Sequence, residues 1–197
     1  MGRAIVALKG ADPVLGDVID RVGPYRIRYL ETNFETLVKS IVYQQLSGKV
    51  VSVIFGRLQQ AAGDGCLTPE TALRLTPTQM RSVGLSRQKI DYIRDIASRT
   101  PRFDSMRRMP DDEVIRVLTG LKGVGVWTSH MFLMFALRRQ DVLPSGDLGL
   151  RAAVKRAYGF AELPKPSEVD QLGEKWRPHR TVATWYLWRS QEPNANL

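Results

Sequence analysis

Cysteine and histidine are scarce in this sequence. Its 197 residues include one cysteine, Cys66, and two histidines, His130 and His179. A single cysteine excludes internal disulfides and any four-cysteine zinc or iron–sulfur site. Two histidines are too few for an ordinary histidine-based metal centre. We therefore expect that the protein requires no cofactor.

Long apolar runs are also missing. No stretch reaches the roughly 18 apolar residues that a membrane-spanning helix needs, and residues 1–8 lack the longer apolar core of a signal peptide. Val6 occupies the position where N-myristoylation requires Ser or Thr. We therefore expect no membrane partner. We expect a monomer in the cytoplasm, on the nucleoid if the source is bacterial, or in the nucleus if it is eukaryotic.

Strand signals are sparse, whereas helical periodicity returns along the whole chain between Gly and Pro residues. The sequence therefore predicts the all-α class, and its length suffices for one core or for two small lobes. The predicted helices span about 12–22, 34–42, 87–100, 111–118, 126–137, 148–158, 167–172 and 181–189, with short ones after Thr68 and Thr76. The predicted N-caps are Asn33, Thr68, Thr76, Ser86 and Ser167, and Gly159 is the predicted end of the helix over 148–158.

The charge is strongly positive. Lys and Arg number 29 against 20 Asp and Glu, which gives a net charge of +9. Such a balance indicates a polyanionic partner such as nucleic acid. Residues 74–108 alone carry nine Arg or Lys against three Asp. A solvated surface is the ordinary explanation for such a run, but beside a nucleic-acid groove it would neutralise phosphates.

A short turn with two glycines, Gly123 and Gly125, precedes a predicted helix that runs from about Val126 to Leu137. Glycines permit positive φ and leave backbone amides uncovered, and a helix start favours anions, so the turn is suited to a phosphate. Asp147 follows Pro-Ser-Gly at the start of a further helix. Helix capping is the ordinary role of an aspartate at such a position.

The turn, the Trp127-Thr128 pair after it and the later Pro-x-x-Asp-x-x-Leu-Arg resemble the helix-hairpin-helix DNA glycosylases, in their DNA-3-methyladenine glycosylase II branch. That hairpin reads Leu-Pro-Gly-(Val/Ile)-Gly-x-Trp-Thr-Ala, with the catalytic Asp twenty residues after the Trp. Trp127 and Asp147 have this spacing. Lys122 and Ser129 depart from the pattern, but neither removes a backbone amide.

The resemblance implies a helical fold of two lobes around a cleft, with residues 1–197 forming one catalytic unit. Lobe A would cover about 35–145, including the hairpin at 118–137, and lobe B about 1–34 with 146–197. The implied partner is double-stranded DNA that contains alkylated bases. The implied activity is excision of alkylated purines in base excision repair, by base flipping and hydrolysis of the N-glycosidic bond.

Asp147 would be the catalytic residue, because a carboxylate stabilises the oxocarbenium-like transition state or activates water. The family's bifunctional branch places a nucleophilic lysine two residues after the second hairpin glycine. Trp127 stands there in this chain, and an indole cannot form a Schiff base. The sequence therefore predicts no AP lyase activity.

The resemblance also implies the remaining site residues. Aromatic rings attract a cationic purine, and the predicted base pocket consists of Trp127, Trp188, Tyr43 and Met131. Gln45 would fill the gap that the extruded base leaves. The predicted DNA contacts are Gln44, Gln45, Ser47, Lys122, Gly123, Val124, Gly125 and Thr128, with Gly84, Ser86 and Lys89 in a second turn. Backbone carbonyls of Thr119, Leu121 and Val124 would hold a structural Na⁺ or K⁺.

Two alternatives remain open at the level of sequence. A non-catalytic helix-hairpin-helix module would bind the DNA backbone through the turn alone and would not need Asp147 with its aromatic neighbours. A related glycosylase would act on deaminated or oxidised bases instead of alkylated ones.

Overall fold

The computed structural model describes residues 2–46, 48–63 and 65–191. These residues form helices and no strand, so the predicted all-α class is confirmed. None of the helices in this part of the chain has the length and apolar character needed to cross a membrane.

The helices in chain order are α1 (Gly2–Ala11), α2 (Pro13–Val22), α3 (Phe34–Tyr43), α4 (Gly48–Ala62), α5 (Pro69–Arg74), α6 (Pro77–Ser82), α7 (Arg87–Ser98), α8 (Phe103–Met106), α9 (Asp111–Thr119), α10 (Val126–Met131), α11 (Leu148–Tyr158), α12 (Pro166–Gly173) and α13 (Arg180–Gln191). A π-helical segment, Phe132–Ala136, follows α10, and a 3₁₀ turn, Glu174–Trp176, follows α12.

The chain divides into two compact units. Unit 1 comprises the chain up to Tyr29 and the chain from Leu133 onward, and unit 2 is Leu30–Phe132. The sequence predicts that the boundary after the hairpin, between lobe A and the second part of lobe B, lies near residue 145. In the structure it falls within the π-helical segment, directly after the helix that follows the hairpin turn.

Unit 1 is built around α2, α11 and α13. Helix α13 packs against both α2 and α11, and α1 packs on α2. Their shared core is apolar and includes Leu15, Leu150, Trp176 and Tyr186, each of which is fully buried. Helix α1 was not predicted, and it contributes Leu8 to the same core.

A buried carboxylate joins the start of α2 to later parts of unit 1. Asp12 is 1% exposed and accepts hydrogen bonds from the Trp176 indole at 2.7 Å and the Tyr158 hydroxyl at 2.5 Å. The Lys175 ammonium lies 3.1 Å away. Burial opposes ionisation of Asp12, but these donors and the Leu15 amide outweigh it and hold the pKa of Asp12 below its ordinary value.

Helix boundaries in unit 1 follow from local caps. Asp147 caps the start of α11, and Gly159 ends it in the left-handed region at φ 71°, as the sequence predicts. The predicted Ser167 cap of α12 is wrong. The Glu168 carboxylate accepts the Lys165 amide at 2.6 Å, so the helix begins at Pro166.

Unit 2 is organised around α3 and α7. Helix α3 packs on α4 and α7, α7 also contacts α5 and α6, and α9 packs on α10. Side-chain hydroxyl or amide oxygens accept from an amide three residues later at each predicted cap in this unit, namely Asn33, Thr68, Thr76 and Ser86. These caps are confirmed.

The predicted continuous helix over 126–137 is wrong in its second half. Regular α-helix ends at Met131, and Phe132–Ala136 is π-helical. A π segment carries an extra residue in each turn, so the side chains after Met131 face directions that a 3.6-residue period does not predict.

Candidate functional site

The hairpin turn depends on one glycine for its conformation. Gly123 has φ 80°, and a Cβ atom there would lie 2.1 Å from the Tyr92 ring. Gly125, in contrast, has φ −95° and open space within 4 Å of its own Cβ position. Of the two glycines that permit positive φ, only Gly123 therefore adopts it, whereas Gly125 leaves the surface of the turn uncovered.

Two of the amides expected to bind phosphate are already engaged. The Lys122 amide donates to the Asp95 carboxylate at 2.9 Å, and the Val124 amide donates to the Leu121 carbonyl at 3.2 Å. The Gly123 and Gly125 amides donate to no acceptor within the described part of the chain. The predicted anion site is thereby narrowed to these two glycine amides and the exposed Lys122 side chain.

The turn between α3 and α4, residues Tyr43–Leu46, carries the predicted plug. Gln45 is exposed and has φ 61°, in the left-handed region that non-glycine residues seldom occupy. The Gln44 side chain donates to the Gly123 carbonyl at 2.9 Å. Gln44 therefore ties this turn to the hairpin, a contact that the sequence did not predict. Ser47, a predicted DNA contact, lies outside the described residues.

Lys89 supports the same turn. Its ammonium donates to the Val42 carbonyl at 2.8 Å and to the Gln44 carbonyl at 2.7 Å. Burial lowers its pKa from the ordinary lysine value. The prediction gave Lys89 a place on the DNA backbone, whereas the structure gives its ammonium protein acceptors.

The second turn that is predicted to bind the DNA backbone is held by contacts between residues close together in sequence. Gly84 has φ 106° and is exposed, and the Ser86 hydroxyl accepts the Lys89 amide at 3.2 Å as the cap of α7. The DNA contacts of Gly84 and Ser86 stay predictions.

The first turn of α10 presents Trp127 and buries its neighbours. Trp127 is 47% exposed, whereas Thr128 is 3% exposed, so the Thr128 side chain is not available as a DNA contact. Ser129 is fully buried, and its hydroxyl donates to the Gly125 carbonyl at 3.0 Å. This bond explains how a polar residue replaces the usual alanine. Met131 is half-buried.

Asp147 lies at the start of α11 with one oxygen doubly engaged. Its Oδ1 accepts the Leu150 amide at 2.6 Å and the Trp188 indole N–H at 2.8 Å. The Trp188 ring stacks on Phe135 with centroids 6.3 Å apart and planes 11° apart. Phe135 therefore packs against the ring whose N–H group donates to Asp147.

Gln191 is a supporting residue that the sequence interpretation missed. Its side-chain amide donates to the Gly149 carbonyl at 2.6 Å, and a Cβ atom on Gly149 would lie 3.2 Å from Asp147 Oδ1. Trp188 and Gln191 are three residues apart on α13, so their side chains lie on the same face of the helix. This spacing is the feature of the sequence from which Gln191 could have been predicted.

The residues predicted for the base pocket come from separate segments of the chain. Tyr43, Trp127 and Met131 belong to unit 2, whereas Asp147 and Trp188 belong to unit 1. The structure brings Asp147 and Trp188 together. The pocket as a whole stays a prediction.

The predicted monovalent-cation site has donors of suitable type, since hard cations prefer oxygen ligands. The Leu121 carbonyl already accepts the Val124 amide, but a carbonyl oxygen has a second lone pair. No group of His, Cys, Asp and Glu among the described residues is arranged to hold a metal ion. A Na⁺ or K⁺ on Thr119, Leu121 and Val124 stays a prediction.

Comparison with known proteins gives one matching family and several similar structures. The family model described as HhH-GPD superfamily base excision DNA repair protein matches residues 38–179. DNA-3-methyladenine glycosylase 1 of Schizosaccharomyces pombe is 33% identical over 199 residues, which is 96% of this chain and 87% of that protein.

Two solved structures share the fold over almost the whole chain. The S. pombe 3-methyladenine DNA glycosylase in complex with abasic DNA matches with a TM-score of 0.87 at 33% identity, over 98% of this chain and 100% of that chain. The crystal structure of DNA-3-methyladenine glycosidase from Bacillus halodurans matches with a TM-score of 0.87 at 35% identity, over 96% of this chain and 89% of that chain.

Proposed function

The chain belongs to the HhH-GPD superfamily of base excision DNA repair proteins, and we propose that it is a DNA glycosylase that excises alkylated purines from double-stranded DNA. The substrates we propose are purines of the 3-methyladenine and 7-methylguanine type. The names of its relatives support the substrate class, and the Asp147–Trp188 pair supports the chemistry.

The chemistry requires one well-placed carboxylate. Breaking the N-glycosidic bond builds positive charge on the deoxyribose, and the Asp147 carboxylate stabilises that charge. An alkylated purine is already cationic, so it departs without a general acid. The Trp188 N–H and the Leu150 amide fix the orientation of Asp147 before the substrate arrives. The same carboxylate orients or deprotonates the attacking water.

Strand cleavage is not part of the proposed activity. The position of the nucleophilic lysine in bifunctional relatives holds Trp127, which has no amine for a Schiff base. Borohydride treatment during turnover on methylated DNA should therefore trap no covalent protein–DNA adduct. A trapped adduct that disappears in Lys122→Ala would show instead that Lys122 is a nucleophile.

The partner in this proposal is damaged duplex DNA, bound by a monomer. The net charge of +9 favours the DNA backbone. The Gly123 and Gly125 amides and the Lys122 side chain bind a phosphate, and Gln45 enters the space of the extruded base. The backbone carbonyls of Thr119, Leu121 and Val124 would hold a Na⁺ or K⁺, which would add positive charge beside the phosphate-binding amides.

Asp147→Asn provides the direct test. Asparagine caps a helix about as well as aspartate, and its carbonyl oxygen accepts the same two N–H groups. The substitution removes the negative charge and replaces the second carboxylate oxygen by an amide NH2 group. We expect the wild-type protein to release free base from methylated DNA, and the variant to be slower by about 100-fold or more with unchanged thermal stability.

The other outcomes discriminate between functions. A wild-type rate in Asp147→Asn would refute the proposed mechanism. DNA binding without any base release by the wild-type protein would indicate a non-catalytic module. Release of hypoxanthine or 8-oxoguanine, but not of methylated purines, would indicate a glycosylase for deaminated or oxidised bases.

A further inference from the structure

The Lys89 ammonium lies at the end of α3, directly before the turn that carries Gln45. The last carbonyls of a helix lack partners within the helix, and a cation is favourable there because of the helix dipole. Lys89, which comes from α7, donates to the Val42 carbonyl at 2.8 Å and to the Gln44 carbonyl at 2.7 Å. One ammonium therefore joins the end of α3 to the turn.

The turn needs such support because its backbone is unusual. Gln45 has φ 61°, a conformation that is unfavourable for a residue with a side chain and persists only when surrounding contacts hold it. The Gln44 carbonyl belongs to the peptide bond that enters Gln45. Gln44 is held a second time, because its side chain donates to the Gly123 carbonyl at 2.9 Å. These contacts fix the backbone on the N-terminal side of Gln45.

The position of Lys89 differs from that of a typical phosphate-binding lysine. Two of its three N–H donors are directed to protein carbonyls, and the residue is only partly exposed. Lys122, by comparison, has an exposed side chain on the hairpin turn.

We infer that Lys89 is a positioning residue for base extrusion, which holds the Tyr43–Leu46 turn in the shape that presents Gln45 to the DNA. This inference rests on the proposed function, since it assigns a role in that reaction. It replaces the expectation that Lys89 contacts a phosphate.

The first test measures how the Kd for undamaged duplex DNA depends on salt. Each lost phosphate contact reduces the slope of log Kd against log salt concentration by about 0.9. We expect Lys89→Met, which keeps a similar length without donors, to leave this slope unchanged. Lys122→Met is the matched control and should reduce it. An equal reduction in both variants would overturn the inference.

The second test separates extrusion from bond cleavage. Single-turnover excision is compared for a methylated purine in a fully paired duplex and for the same base in a mismatched site, where extrusion costs less. Lys89→Met should be slower by about tenfold on the paired duplex, where extrusion limits the reaction, and nearly unaffected at the mismatch. Equal slowing on both substrates would overturn the positioning role.

Two further variants test whether Lys89 acts through its N–H donors and through Gln45. Lys89→Arg keeps the charge and the N–H donors, so it should restore excision from the paired duplex. In Gln45→Gly, which removes the plug, adding Lys89→Met should cause no further loss. A further loss in the double variant would show that Lys89 acts elsewhere. If the wild-type protein releases no base from either substrate, the proposed function fails, while the salt slopes still decide whether Lys89 contacts phosphate.

Discussion

Replacing Gly123 by alanine tests the structure of the hairpin turn directly. An added Cβ would lie 2.1 Å from one Tyr92 ring atom and 2.4 Å from another. Real Cβ atoms do not approach other carbon atoms this closely, so either the turn or the ring must move. The backbone at Gly123 also has φ 80°, which disfavours any residue with a side chain.

The two effects add to a substantial loss of stability. Left-handed backbone costs a non-glycine residue about 1–2 kcal/mol, and inserting a carbon into a packed site costs about 1–3 kcal/mol. We therefore expect Gly123→Ala to lower the free energy of unfolding by about 2–5 kcal/mol. Binding of duplex DNA at a temperature where the variant is folded should weaken as well.

Gly125→Ala is the matched control for this prediction. It lies two residues away at φ −95° with open space around its Cβ position. Only the replacement of a glycine N-cap by alanine affects this variant, so its stability should fall by about 1 kcal/mol or less. Urea denaturation measures both variants. Adding Tyr92→Ala to Gly123→Ala removes the clash, so the double variant should lose less stability than the sum of the losses of the two single variants. Equal stability of Gly123→Ala and Gly125→Ala would refute the reasoning.

Further predictions concern unit 1. Trp188→Phe keeps a ring on Phe135 but loses the N–H donor to Asp147. A hydrogen bond to a charged group contributes about 1.5–3 kcal/mol, so single-turnover excision should slow by about 10- to 150-fold, and an unchanged rate would contradict this. Asp147→Ala loses the helix cap and should unfold about 1 kcal/mol more easily in urea, whereas Asp147→Asn should not. The folded-state pKa of Asp12 is depressed, so its stabilisation is present above about pH 4 and lost as pH falls through the folded pKa. In Asp12→Asn, the free energy of unfolding should therefore fall less steeply as the pH is lowered below about 4. An unchanged pH dependence would show that Asp12 does not contribute to it.

The parts of the fold that depend on short-range chemistry were predictable. Caps such as Asn33, Thr76 and Ser86 bond an amide three residues away, so the signal lies within a few letters of sequence. The positive φ of Gly123 and the capping position of Asp147 are of the same kind. The family resemblance also implies that Asp147 and Trp188 belong to one site, and the structure places them in contact.

The parts that depend on distant residues were not predictable. Lys89 bonds carbonyls 45 and 47 residues away, and nothing in its neighbourhood distinguishes it from the basic residues around it. The Asp95 carboxylate, 27 residues earlier in the chain, accepts a hydrogen bond from the Lys122 amide. The sequence of the turn predicts that this amide binds phosphate, but the bond to Asp95 already engages it. The π-helical segment escaped prediction because apolar periodicity presumes 3.6 residues per turn.

Unit 1 consists of two segments of the chain that are separated by unit 2. This order has a consequence for folding during protein synthesis. Leu15 and Val18 of α2 share one core with Leu150 and Tyr186, so this core cannot close until the ribosome has made α13. Unit 2 is continuous from Leu30 to Phe132 and its contacts are complete much earlier. Domains generally fold as their chain emerges. The nascent protein therefore acquires its hairpin before Trp188 is available to hold Asp147, and a chain that terminates prematurely after unit 2 carries the hairpin without the carboxylate.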